Sequence, residues 1–500
     1  MDVLIGVDIG THSTKAVALE AGGRRLGEAS CSHGIEIPQA GYCEQDAERV
    51  WWQGFVTVVR QLLKQGTFRP EEVRSIGVST LSPCVLAVDA QGNPLRKAIL
   101  YGVDVRASKQ IARFNQELGL ETVLRRYGQP MSSQTAGPKI LWLKENDPEV
   151  FERAAGFVPA TSYMVHRLTG RWTLDQYVAP SYAPFFRIDT MEWDREMIRR
   201  YLGRDILESE LLWPGETAGM LTEAAGAVLG LPAGIPVMTG SADALAEAVS
   251  GAGIRPGYVF IMYGSSIIFI ATTREKITSS ETFWPSPGMV EGEWALAGGM
   301  STTGSLVDWA IETFFPEGTG YPEFFAEAKK SPPGARGLVV LPYFSGERTP
   351  ISDPNARGVI FGLTLHHSRA DIARAVLEGV AYGIRHNIEE YEKRLGPVKL
   401  IGAGGGVTDP FWVQIISDVC GKEHEIMAKT NAATGDALMA GMACGALTRT
   451  ETEQLARQLG LGGMIYPNPE HHEIYQKLYE IYRSLYVDTR ALAHELEAMG

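Results

Sequence analysis

The sequence predicts an α/β protein of two lobes that are diverged copies of one mixed unit, and three stretches carry that expectation. The chain opens on an alternating apolar run, Val3, Ile5, Val7 and Ile9, which reads as a strand with one buried face. A turn opened by Gly10 comes next, with Thr11, Ser13, Thr14 and Lys15, and then a second alternating run to Leu19 that reads as an antiparallel neighbour. Far along the chain, Val259–Thr272 makes a second strand-rich beginning, broken at Gly264-Ser265-Ser266 by a turn of the same glycine-and-hydroxyl kind. Beyond it strand, helix and glycine-rich turn recur over 369–395, 400–406, 411–420 and 436–447. The expected division is 1–248 and 249–500, with a hinge near 241–255 and a nucleotide between the lobes.

In order, the first half predicts strands near 3–9, 14–20 and 24–31. Asp46 is placed to cap a helix whose apolar residues, Trp51, Trp52, Phe55, Val58, Val59, Leu62 and Leu63, fall on one face. Val73–Ser79 and Val85–Val88 read as strands, and helices dominate from about 107 to 168, including 138–145.

Five hundred residues with 45% hydrophobic and 21% charged content fit a globular protein of two or more domains. The net charge of −13 argues against nucleic acid or an anionic membrane as the main partner, since phosphate backbones need clustered Lys and Arg. The start lacks the pattern of a signal peptide, and no apolar run is long enough to span a bilayer. Cys31, Cys43, Cys84, Cys420 and Cys444 are scattered, which reads as reduced thiols in a cytoplasmic protein without a structural zinc site.

Four constellations carry chemistry. Asp8 before the Gly10 turn can hold a metal beside backbone N–H groups and hydroxyls that face a phosphate; an ordinary hairpin is the alternative. Asp243 sits in the small-residue turn Gly240-Ser241-Ala242-Asp243-Ala244 after an apolar strand. It reads either as a helix N-cap or as the carboxylate that accepts a substrate hydroxyl proton. Gly402-Ala403-Gly404-Gly405-Gly406 at a strand end lets backbone lie flat against a planar group, though its spacing is not the dinucleotide fingerprint. Residues 341–350 and 356–363 pack Gly, Pro, Glu347 and Arg348 into a stretch too specialised for a filling loop.

Together these stretches resemble the FGGY family of carbohydrate kinases, most closely its xylulokinase-like members, over essentially the whole chain. Gly358–Leu363 with Asp371-Ile372 and Ala375-Val376-Leu377-Glu378 resembles the family's second signature. Ser345-Gly346-Glu347-Arg348-Thr349-Pro350 looks like the segment of xylulose kinases. Lys139–Asn146 keeps part of the first signature, with Gln134 and Ala136 departing from its usual start. The resemblance implies the two-lobed actin-like ATPase (ribonuclease H-like) fold with an interlobe nucleotide cleft. It implies ATP and Mg2+ as cofactors, Asp243 as general base, and Asp8 with Asp243 as metal ligands. Asp8, Gly10, Thr11, Ser13 and Thr14 would form the first phosphate turn and Gly264, Ser265 and Ser266 the second. Gly404, Gly405 and Gly406 would lie against the adenosine.

The sugar side departs from the pattern. Thr80-Leu81-Ser82-Pro83-Cys84 lacks the Met-His pair of xylulokinases. The Trp-Asn-Asp-x-Arg segment reads Tyr101-Gly102-Val103-Asp104-Val105-Arg106, keeping Asp104 and Arg106 as candidate sugar contacts, with an exposed loop pair as the alternative. The usual Asp-x-Ser-x-Ala reads Asp175-Gln176-Tyr177-Val178-Ala179. The expectation is thus an ATP-dependent kinase for a pentulose such as xylulose, with another ketose, polyol or sugar acid (ribulose, erythritol, gluconate) as alternative. A non-catalytic ATP-sensing module is the reading from another class. No nucleic-acid or membrane partner is expected, and the oligomeric state is left open with a homodimer as the candidate.

Overall fold

The alternating run at the start of the chain becomes β1 (Val3–Ile9), with every residue buried. In this computed structural model, which describes residues 1–499, β1 pairs antiparallel with β2 (Ser13–Glu20), and β2 with β3 (Arg25–Ser32). Asp46 caps the next helical segment, its Oδ1 accepting from the N–H groups of Glu48 and Arg49 at 3.0 and 2.9 Å. The first turns, Ala47–Trp52, are π-wound before α1 (Gln53–Lys64) begins. Trp51, Phe55, Val58, Val59 and Leu62 recur at helical spacing and bury one face in the same core as Val3, Ile5, Val7 and Ile9. The chain then runs as β4 (Val73–Thr80), parallel to β1.

The helical stretch expected over 107–168 is a series of short helices, broken where Gly119 and Gly128 take positive φ and where the strand Gly156–Val158 intervenes. One of them is α2 (Ala136–Asn146). Strands β5 (Thr217–Met220), β6 (Pro236–Met238) and β7 (Ser241–Ala242) complete a seven-stranded sheet in the order β5-β6-β4-β1-β2-β3, with β7 alongside β4. Helix α3 (Asp243–Ser250) continues directly from β7.

A second sheet repeats the plan. β8 (Tyr258–Tyr263) pairs antiparallel with β9 (Ile267–Thr273), as β1 does with β2. After β10 (Trp294–Met300), α4 (Gly304–Phe314) and the long α5 (Arg369–Leu395), β11 (Lys399–Gly404) lies parallel to β8, as β4 does to β1. Helix α6 (Pro410–Cys420), β12 (His424–Met427), parallel to β11, helix α7 (Ala432–Ala443), β13 (Leu461–Ile465) and α8 (Pro469–Met499) finish the chain.

Two units result, and they are not the two halves of the sequence. Unit 1 holds Met1–Ala252, Arg274–Ala295 and Asn431–Leu459, so α7 belongs with the N-terminal sheet; the remainder forms unit 2. No helix among the described residues is long and apolar enough to cross a membrane.

His424 on β12 is fully buried, with neither ring nitrogen hydrogen-bonded among the described residues, and burial pushes its pKa down to about 3. Its contribution to stability is therefore complete above pH 6.5 and lost as pH falls from there toward 3, because only the unfolded chain binds the proton. The buried carboxyls of Asp175 and Glu347, pushed up to about 7, act in the opposite sense between pH 4 and 7. A comparison of variant with wild type isolates the histidine. Urea unfolding at several pH values is expected to show the stability slope of H424L reduced by one proton, about 1.4 kcal/mol per pH unit. Parallel slopes would show the imidazole to be charged in the folded state.

Candidate functional site

Asp8 is the sixth residue of β1 and shares a face with Gly6, the face that α7 covers. That helix approaches closely because glycines line its path. A Cβ on Gly6 would stand 2.0 Å from the Ala433 carbonyl oxygen, and one on Gly77 2.2 Å from that of Asp436. The approach brings Asp436, fully buried, to β4. There Ser79 Oγ lies 2.7 Å from Asp436 Oδ2 and 3.1 Å from Asp8 Oδ1. Burial and the charge of Asp8 hold the Asp436 carboxyl far above the usual carboxylate range. The consistent proton arrangement is a neutral Asp436 donating to Ser79, whose own proton goes to Asp8.

Asp8 itself is pushed up to about 7 by burial and by the charge of Asp243, while Ser79 and the Lys15 ammonium pull the other way. Lys15 faces Asp8 across the β1–β2 ladder. Asp243 is the first residue of α3, and the N-cap position belongs to Ala242, so its side chain does not cap the helix. Its Oδ1 accepts from the Ala244 N–H at 2.8 Å, and Oδ2 takes no protein hydrogen bond among the described residues. Burial and Glu247, one helical turn on, raise the Asp243 carboxyl to about 6.

In the first turn the Gly10 N–H donates to the Ser13 carbonyl at 2.9 Å, and Gln45 Nε2 holds the Thr11 carbonyl at 2.9 Å. Thr11 and Ser13 are half-buried beside Asp8 in sequence. Thr14 needs correcting. It stands opposite Ile9 in the ladder, on the other face from Asp8, and its hydroxyl is fully buried against Gly54 of α1 and 3.2 Å from His33 Nε2. Side chains alternate along a strand, so a hydroxyl one place from Lys15 cannot share its face.

On the sugar side, Asp104 and Arg106 are brought together, but turned onto each other. Asp104 is fully buried; its Oδ1 takes Arg106 Nε at 2.9 Å, and its Oδ2 takes Arg106 Nη2 and the Cys43 N–H, each at 2.7 Å. The guanidinium also reaches Glu44 Oε1 at 2.8 Å and lies 4.0 Å over the Tyr42 ring. The pair is neither the exposed loop pair nor an open sugar contact; it fastens the 42–44 segment to the 101–106 loop. Lys139 of α2, 1% exposed, holds the same loop from the other side. Its ammonium donates to the carbonyls of Leu100, Tyr101 and Ser133 at 2.8, 3.2 and 2.6 Å. So anchored, Tyr101 places its hydroxyl 3.1 Å from Thr11 Oγ1. Asp175 accepts from Ser241 Oγ and the Val178 N–H, both at 3.0 Å, and so steadies the strand that delivers Asp243.

Sequence reasoning missed Ser79, Asp436 and Glu247. Glu247 was legible, standing four residues after Asp243 on a helix; the other two had no local signal.

In unit 2, Tyr263 at the end of β8 pairs with Gly404 at the end of parallel β11. The Gly264–Ser266 turn and the Gly404–Gly406 run therefore leave the same edge of one sheet. Gly264 and Ser265 are exposed there, and so are Gly404 and Gly405. Gly404 has φ +96°, and a Cβ would stand 2.3 Å from the Tyr263 carbonyl oxygen, so only glycine fits.

Sequence comparison matches the N-terminal domain of the FGGY family of carbohydrate kinases over residues 3–250 and its C-terminal domain over 259–444. The chain belongs to the FGGY family of carbohydrate kinases. It is similar to xylulose kinase of Staphylococcus epidermidis, 26% identical over 498 residues that span 99% of this chain and 98% of that protein. Among solved structures, xylulose kinase from Rhodospirillum rubrum superposes with a TM-score of 0.91 at 28% identity, covering 98% of this chain and all of that one. Gluconate kinase from Lactobacillus acidophilus, at 23% identity, covers the whole of both chains with a TM-score of 0.89 and shares the fold. The protein is therefore an FGGY sugar kinase with the actin-like ATPase fold, and ATP is its phosphoryl donor.

Proposed function

We propose that this FGGY kinase transfers the γ-phosphoryl group of ATP to a hydroxyl of a small ketose, with xylulose the first expectation. The carrying observation is Asp243, a half-buried carboxylate at the start of α3 with one oxygen uncommitted. It takes the proton of the sugar hydroxyl; the oxygen so exposed attacks the γ-phosphorus, the bond to the β-phosphate oxygen breaks, and ADP leaves. Unit 1 supplies the base and the first phosphate turn, through the Gly10–Ser13 backbone, the Thr11 hydroxyl and Lys15. Unit 2 supplies the Gly264–Ser266 turn for phosphate and the Gly404–Gly406 run for adenosine. These roles give 1–248 the sugar and the first phosphate turn and 249–500 the ATP, apart from 274–295 and α7, which belong with unit 1.

Magnesium fits the residues present. Asp8 and Asp243 are hard oxygen donors whose mutual repulsion raises Asp8. No closed cluster of three or more His, Cys, Asp or Glu ligands occurs among the described residues, and magnesium, which keeps waters and phosphate oxygens in its shell, needs none. Asp8 and Asp243 would hold the ion, which when bound neutralises phosphate charge.

The sugar preference rests on Ser82, where xylulokinases carry their Met-His pair, and on the Tyr101 loop. Ser82 Oγ is buried without a protein partner among the described residues, a site suited to a sugar hydroxyl. A cytoplasmic location suits an ATP-consuming enzyme with reduced thiols. The test is ADP release with ATP–Mg2+ against D-xylulose, D-ribulose, L-ribulose, erythritol, glycerol and gluconate. D-xylulose is expected to lead by at least tenfold in kcat/KM; another sugar ahead by that margin would overturn the xylulose assignment while keeping the kinase.

A further inference from the structure

The segment Ser345-Gly346-Glu347-Arg348-Thr349-Pro350 has no part in the chemistry described so far, yet three of its side chains converge beneath the Gly264–Ser266 turn. Arg348 is the centre. Gly299 of β10 leaves a space that a Cβ would close to 2.9 Å from the guanidinium carbon, and the guanidinium occupies it. From there Nη2 donates to the Met300 carbonyl at 2.6 Å and to the Ile267 carbonyl at 3.2 Å. Ile267 is the residue immediately after the turn, and Met300 ends β10.

The two neighbours complete the grip. Glu347, 3% exposed, accepts the Ser301 N–H at 2.7 Å and the Arg348 N–H at 2.8 Å with Oε1. The Thr349 hydroxyl accepts the Gly299 N–H at 2.9 Å and donates to Asn387 Oδ1 at 2.6 Å. Thus the end of β10 and the residue after it are fixed at three successive backbone positions. Residues 303–305, just beyond, hold the turn itself. The N–H groups of Thr303, Gly304 and Ser305 donate to the carbonyls of Ser265, Gly264 and Ser265 at 3.0, 3.1 and 3.1 Å, and the Thr303 hydroxyl reaches the Gly264 carbonyl at 3.0 Å. The Gly264 N–H is spent on the Ser266 carbonyl at 3.0 Å, and with the Gly264 and Ser265 carbonyls tied down behind, the N–H groups of Ser265 and Ser266 are the ones this turn has to offer an anion.

The far side of the segment is anchored too. Glu347 and Asp353 exchange backbone hydrogen bonds of 2.8 and 2.9 Å, and the Asp353 carboxylate takes Tyr486 and His494 of α8.

We propose that Glu347, Arg348 and Thr349 form a positioning clamp for the second phosphate turn, setting the affinity for the nucleotide's phosphates without touching the nucleotide. This deepens the reading above and rests on the Gly264–Ser266 turn binding phosphate. A clamp of this kind acts on ADP and not on adenosine, which separates it from a merely structural role.

The test is calorimetric titration with ADP–Mg2+ and, separately, adenosine. R348K keeps the charge but loses the planar fork, and E347Q keeps shape and loses charge. Each is expected to weaken ADP binding at least tenfold and leave adenosine within twofold. S265D, which sets a carboxylate on the turn, tests the underlying reading and is expected to lose ADP more steeply. ADP affinity retained in S265D would remove the phosphate role and the clamp with it. Loss in S265D with ADP affinity retained in both R348K and E347Q would overturn the clamp alone. Equal losses of ADP and adenosine in R348K and E347Q would reduce the segment to general support of the unit, and also overturn it.

Discussion

Replacing Asp243 by Asn is expected to lower kcat about a thousandfold while leaving KM for sugar and ATP within a few-fold, because the amide keeps the shape but cannot take the hydroxyl proton. The pH profile supplies the second signature. A base must be deprotonated to act, so wild-type kcat/KM rises with pH through the Asp243 value and is level above it. Burial and Glu247 place that value at about 6, and any cation held beside it draws it lower, so the acid limb falls at or below pH 6. In D243N the residual rate should lose this limb. A variant that keeps wild-type turnover, or keeps the limb unchanged, would move the base elsewhere.

Gly435→Ala is expected to be among the most damaging single substitutions in unit 1. Gly435 is where α7 crosses α3, and its Cβ would stand 1.8 Å from the Ala246 carbonyl oxygen, a backbone atom that cannot swing aside. One helix must shift, at a cost of about 3 kcal/mol or more. The shift also moves Asp436, the next residue, away from Ser79, so activity should fall further than stability alone explains. Urea midpoints and kcat measured together check both effects. Gly22→Ala, with nothing near the added carbon, should stay within about 0.5 kcal/mol. Equal midpoints for the two variants would mean that the α3–α7 crossing is looser than these contacts describe.

Much of the sheet framework was legible because its signals are local. Local pattern marks β1, β2 and β4 within a residue, and the helical spacing of Trp51 through Leu62 marks the helical segment 47–64 with its Asp46 cap. The candidate carboxylates Asp8 and Asp243 were legible for a related reason, Asp8 near the end of an apolar strand just before the Gly10 turn and Asp243 just after a strand in a small-residue turn. The Thr14 error lay within reach, since period-two alternation already sets Thr14 with Ile9 and Lys15 with Asp8. The partnership of Ser79 with Asp436 lay outside it. These residues are 357 positions apart, and nothing in the Ala- and Gly-rich run 432–443 says which sheet it will cover. Asp104 and Arg106 show a third case: the pairing was visible in the spacing, but Glu44, Cys43 and Tyr42, which enclose the pair, come from a segment some sixty residues earlier.

The placement of α7 also dictates an order of events during synthesis. The face of β1 and β4 bearing Gly6, Asp8 and Gly77 is made within the first eighty residues, but its cover arrives only with residues 432–443. At roughly 5–20 residues per second, the nascent sheet waits tens of seconds with that face bare. An N-terminal fragment released at residue 252 would keep it bare for good. Unit 1 is thus completed only once residues 431–459 have been made, and a chain that stops before residue 431 would carry Asp8 and Ser79 on an uncovered face with no Asp436 beside them.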